Sequence, residues 1–103
     1  MKFNLQNKTG YQAEKFFREL GYKLSKEDET TGEMSFVRSL TGDDFPRLHI
    51  YAKEQGENIL CSMHLDHKRA SYGKHTAHSG EYEDSDILDH EVMRLQGLAN
   101  SLE

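Results

Sequence analysis

The sequence predicts an α+β domain: an antiparallel meander of three to four strands with an N-terminal and a C-terminal helix packed on one face. Three patterns carry that expectation. Ala13, Phe16, Phe17 and Leu20 recur at helical spacing near the start of the chain. Between Pro46 and Leu65, apolar and polar residues alternate with the period of two that a half-buried strand requires. Leu88, Val92, Leu95, Ala99 and Leu102 then form a second helical stripe. With 103 residues the chain is expected to be a single domain, 1–103. Its 35% hydrophobic and 30% charged content makes the core thin, so these few apolar positions must supply nearly all of it.

The first helix is bracketed by Thr9 and Gln12, which read as a capping box, and by Gly21, placed where a left-handed residue ends a helix. Upstream, Phe3 and Leu5 alternate with polar neighbours as a short edge strand does. Tyr22–Asp28 reads as a strand running into the turn Glu29-Thr30-Thr31-Gly32. Met34–Leu40 follows, with Met34, Phe36 and Leu40 on one face and Arg38 an awkward companion, closed by a turn at Thr41-Gly42-Asp43-Asp44. Pro46–Lys53 directs Leu48, Ile50 and Ala52 inward and Arg47, His49 and Tyr51 outward.

After a turn at Gln55-Gly56, the residues Ile59, Cys61, Met63 and Leu65 continue the inward series. Pairing Glu54 with Glu57 sets Leu48 against Met63, Ile50 against Cys61 and Ala52 against Ile59, apolar on apolar throughout. That register leaves His49 opposite Ser62 and diagonal to His64. The closing helix is expected from about Asp86 to Leu102, capped by Asp84 or Ser85. Residues 67–83 read as a long histidine-rich loop, bracketed in part by Gly73 and Gly80, with Tyr72 and Tyr82 as anchors on the sheet.

Charge narrows the function. The net charge is −5, which disfavours broad nucleic-acid binding through phosphate neutralisation. It is uneven, however: residues 1–26 carry six basic and two acidic side chains, whereas 81–103 carry one and seven. No stretch approaches the ~20 apolar residues of a membrane span. The segment Met1–Gln6 lacks the apolar run of a secretory signal. The one cysteine, Cys61, falls in an inward strand series and reads as a reduced core residue. A cytoplasmic protein without a membrane partner is expected.

Six histidines stand out. His49 and His64 share the outward hairpin face with Asp66, and His75, His78 and Glu81 follow at spacings of three. Imidazole and carboxylate donors suit zinc or another divalent ion, so His49, His64, His75, His78 and Glu81 are the candidate ligands. Neither HExxH nor CxxC is present. His49, His64 and His78 are also candidate acid–base groups, with Arg47, Lys68, Arg69 and Lys74 as a phosphate cradle for ribonuclease-like chemistry. The alternative for these histidines is a solvated surface role. The acidic run from Glu81 to Asp89 reads as a solvated helix start, since EF-hand spacing is absent.

The helix–meander–helix order resembles the double-stranded-RNA-binding fold and the small toxin domains of bacterial toxin–antitoxin pairs. The first family implies lysines at the start of the last helix, where this chain has Glu83-Asp84-Ser85-Asp86. The second implies a histidine just after a glycine that opens the second strand, where Gly32 is followed by Glu33-Met34. The segments Pro46–Tyr51, His64-Leu65-Asp66 and Ala77–Tyr82 are also similar to small bacterial proteins of about this length that carry no assigned activity.

Together these observations point to a small binding or interaction module that uses the outward sheet face and the 68–83 loop. Arg47, Tyr51, Lys68, Arg69, Lys74 and Tyr82 form its contact surface, and a protein is favoured over nucleic acid as partner. A metal- or histidine-dependent hydrolase at the same histidines is the alternative. The module reading expects the histidines to lie apart, and the enzyme reading expects at least three to converge within ~5 Å of one point.

Overall fold

The computed structural model describes residues 1–67 and 77–102, for 77–84 the backbone alone. Its elements are β1 (Lys2–Gln6), α1 (Ala13–Glu19), β2 (Lys23–Glu27), β3 (Met34–Ser39), β4 (Arg47–Gln55), β5 (Asn58–Asp66) and α2 (Ala77–Ser101). The strands form one antiparallel sheet in the order β1-β5-β4-β3-β2. The expected meander is therefore present as β2 to β5, and β1 adds a fifth strand against β5. Pairing Phe3 with Cys61 and Leu5 with Ile59 aligns the apolar residues of β1 with the inward series of β5.

Both helices lie over the same face. Phe16, Phe17 and Leu20 from the first and Leu95 and Ala99 from the second join Phe36, Leu48, Ile50, Ile59 and Met63 in one buried cluster. Leu40 departs from the expected pattern: β3 ends at Ser39, and Leu40 is exposed.

The end of α1 follows from Gly21. At φ 97° it occupies the left-handed region that other residues resist. The Gly21 amide donates to the Arg18 carbonyl and the Tyr22 amide to that of Phe17, the paired bonds of a Schellman motif. The Tyr22 ring then packs edge-on against Phe17 with centroids 6.3 Å apart. At the other end the capping box does not form. The helix begins at Ala13, so Gln12 is the cap residue, without a side-chain cap bond. Thr9 lies too far upstream, and its hydroxyl accepts from the Tyr11 amide instead.

The β4–β5 hairpin differs from the expected register by two residues. Gln55 pairs with Asn58, leaving Gly56-Glu57 as the turn. Gly56 has φ 64° and, among the described residues, none other than glycine has positive φ, the pattern of a II′ turn with glycine first. The expected turn would have put Gln55 in that left-handed position. The shift changes every pairing: Leu48 faces Leu65, Ile50 faces Met63, Ala52 faces Cys61, and His49 faces His64 directly. Because a shift of two keeps each side chain on its face, apolar residues still meet apolar ones.

The closing helix starts at Ala77 rather than near Asp86, so 77–83, expected in the loop, are helical. The apolar stripe marks only the part of a helix that touches a core, and the segment 77–85 carries no such stripe. Glu91 on this helix is 5% exposed and gathers three partners. It accepts from the Tyr22 hydroxyl at 2.6 Å and from Arg94 at 2.7 and 2.8 Å. Arg38, awkward in the strand pattern, reaches the same carboxylate at 3.5 Å. Arg94 also donates to the Leu20 carbonyl at 2.9 Å, satisfying an orphan acceptor at the end of α1.

Candidate metal centre

The face of the sheet away from the helices carries Arg47, His49 and Tyr51 from β4 and Ser62, His64 and Asp66 from β5. Alternation puts these side chains on that face, and the hairpin register decides which of them meet. His49 and His64 are direct cross-strand partners, with ring centroids 5.0 Å apart. The Tyr51 ring lies 4.6 Å from that of His49 and 5.5 Å from that of His64.

Asp66, cross-strand partner of Arg47, reaches diagonally to His49. Its Oδ2 accepts from Arg47 Nε at 3.2 Å and lies 3.0 Å from His49 Nδ1, while Oδ1 is 3.4 Å from His64 Nε2. One imidazole nitrogen of each histidine and one Asp66 oxygen all fall within 4.8 Å of one another. Ligands about 2.0–2.1 Å from a tetrahedral zinc are about 3.3 Å apart, and the 3.0 Å and 3.4 Å contacts, which run to different Asp66 oxygens, bracket that spacing. His49, His64 and Asp66 could hold a metal ion.

Accessibility is graded. The His49 side chain is 13% exposed, Asp66 26% and His64 46%. Burial and the neighbouring His49 hold the His64 imidazole below its ordinary pKa, with Asp66 pulling the other way. The neutral form, which carries the ligating lone pair, is thereby favoured. His49 Nε2 is closed off from solvent and has no hydrogen-bond partner among the described residues.

Of the expected ligands, the structure brings together His49 and His64, and the third donor is Asp66, which shares their strand face. Arg47 and Tyr51 border the site as expected. His75, Lys68, Arg69 and Lys74 lie outside the described residues, as does Tyr72. His78, Glu81 and Tyr82 fall on the first turns of α2, with side chains outside the description. The Glu91–Tyr22–Arg94–Arg38 cluster is a polar site that sequence reasoning missed. Its one available signal was Arg38, a charged residue in an inward strand series.

No family model, no curated protein and no solved structure matches this chain. Its chemistry is therefore read from its own residues.

Proposed function

We propose that this protein is a small metal-dependent binding module whose working surface is the open face of its sheet. The observation that carries this reading is the convergence of His49, His64 and Asp66 donors within 4.8 Å; among the described residues two histidines meet, against the separation expected of a module and short of the three expected of an enzyme. Two imidazoles and a carboxylate suit zinc or a similar borderline ion, and three protein ligands leave coordination positions free. Tyr51 and Leu60, both 38% exposed on the same face, offer apolar contact beside the ion. The net charge of −5 favours a protein partner over nucleic acid. Among the described residues no helix is long and apolar enough to cross a membrane. The reading carries a cytoplasmic location with it, supported by a lone cysteine that is buried and unpaired.

Metal content by plasma mass spectrometry and titration with cobalt(II) test the site on tag-free protein. One bound ion per chain is expected, with the visible bands of a low-symmetry cobalt centre, both lost in His64→Ala. Equal metal uptake by the wild type and His64→Ala, or none by either, would remove the proposal.

A hydrolytic reading uses the same three donors, since an ion held by three protein ligands keeps a place for an activated water. Chemistry by the histidines alone is less well supported, because the free nitrogen of His49 is shut away from any substrate. Hydrolysis of an activated ester by zinc-loaded protein, absent from His64→Ala, distinguishes an enzyme from a binding module.

A further inference from the structure

The open face of the sheet differs in charge from the chain as a whole. One row crosses all five strands as Lys2, Ser62, Tyr51, Ser35 and Lys26, each residue the cross-strand partner of the next. Rows on either side add Lys53 opposite Leu60 and Lys23 opposite Val37. These four lysines are exposed, and none forms an ion pair among the described residues. Arg47, on the same face, is already engaged by Asp66. Asp28 and Glu33, from the connection between β2 and β3, border the face at its rim. Four unpaired lysines against these two carboxylates leave the face positive in a chain whose net charge is −5.

The middle of the face is apolar. Tyr51 and its diagonal neighbour Leu60, both 38% exposed, line a groove of about 350 Å³ that Lys2 and Lys53 also border. An apolar patch between cations suits a segment that carries an apolar side chain between carboxylates. Strands lie about 4.8 Å apart, so the row from Lys2 to Lys26 is roughly 19 Å long. An extended chain of about six residues covers that length. Single-stranded nucleic acid fits less well. Arg47 is taken by Asp66, and the His49 side chain, 13% exposed, is too enclosed to stack on a base.

We infer that the open sheet face docks an extended acidic segment of a partner protein, with an apolar residue over Tyr51 and Leu60 and carboxylates at Lys2, Lys26 and Lys53. The inference rests on the reading of this face as the working surface and adds the chemistry of its partner. The metal donors His49, His64 and Asp66 lie on the same face, and no lysine is among them.

A phage-displayed library of random dodecapeptides, panned on the full chain with and without zinc, tests the inference. Recovered peptides are expected to carry at least two carboxylates around an apolar residue. Their affinity, measured by fluorescence anisotropy, should weaken as salt is raised. In the Lys26→Glu/Lys53→Glu double variant, changed at exposed positions, it should fall about tenfold or more. Lys15→Glu, on α1 and so across the sheet, should leave it within about twofold. No recovered peptide in either condition, peptides without acidic residues, or peptides indifferent to the double variant would overturn the assignment. So would equal losses in Lys15→Glu, or tighter binding of a uridine oligonucleotide than of any peptide. The cobalt(II) bands report the metal centre separately, and the lysine substitutions should leave them unchanged. Acidic peptides bound without any metal uptake would uphold the docking face and remove the metal centre alone.

Discussion

Replacing Glu91 by alanine tests whether the buried polar cluster holds α2 against the sheet. The carboxylate is 5% exposed, accepts one bond from Tyr22 and two from Arg94, and draws Arg38 to 3.5 Å. Its loss leaves the buried Tyr22 hydroxyl without a strong acceptor, a cost of about 1–3 kcal/mol. Breaking a fully buried ion pair costs about 3–5 kcal/mol, but Arg94 and Arg38 are each about a third exposed and regain water. We therefore expect a loss of about 3 kcal/mol for Glu91→Ala, at the lower end of that range. Tyr22→Phe should cost about 1.5 kcal/mol, since Glu91 keeps its arginines.

Urea unfolding followed by circular dichroism measures both variants. With a slope of about 1–3 kcal/mol per molar urea, the Glu91→Ala midpoint should fall by about 1–3 M. The double variant supplies a sign. Once Glu91 is gone, Tyr22→Phe removes an orphaned hydroxyl and should be nearly neutral or stabilising. A Glu91→Ala loss below about 1 kcal/mol, or additive costs in the double variant, would refute this reasoning.

Acid sensitivity follows from the same carboxyl. Burial alone would raise its pKa, but the bonds from Arg94 and Tyr22 and the charges of Arg94 and Arg38 hold it below the ordinary 4.5. A carboxyl depressed by folding stabilises the fold above its unfolded pKa, and that contribution is lost as pH falls through the folded value. Stability should thus decline below about pH 4.5, and Glu91→Gln should flatten the decline; an unchanged pH profile in that variant would contradict it. Gly21→Ala should cost about 1–2 kcal/mol from backbone strain, because its φ is 97° while the added Cβ would meet Arg38 at an ordinary 3.5 Å. A urea midpoint equal to the wild type would show that the end of α1 does not depend on glycine. The Cys61 thiol, pushed up to about 12 by burial, should resist alkylation in the native protein and react readily in denaturant. Equal labelling rates in both conditions would place the thiol at the surface.

Alternation and helical spacing made the two-layer architecture legible. Each is a local property that decides which side of an element faces a core. The stripes Ala13–Leu20 and Leu88–Leu102 and the inward series of β4 and β5 all lie where their spacing puts them. The edge strand β1 was faint for the same reason: two apolar residues make a weak pattern, and its partner β5 lies more than fifty residues away. The first part of α2 was missed because it lacks the apolar stripe by which a helix is recognised.

The candidate site divides along similar lines. That His49, His64 and Asp66 share an outward face follows from parity in the sequence, and parity survives a shift of two residues. Which of them touch does not follow from parity. That rests on Gly56 taking the left-handed turn position, which sets Gln55 against Asn58 and so brings His49 directly opposite His64. The Glu91 cluster lies further from sequence reach, since its members come from separate elements and no local period links them. Which face a side chain occupies is legible locally, because its direction is a short-range consequence of backbone geometry. Which residues become neighbours is set by the folded chain, because contact between distant residues depends on register and packing across the whole domain.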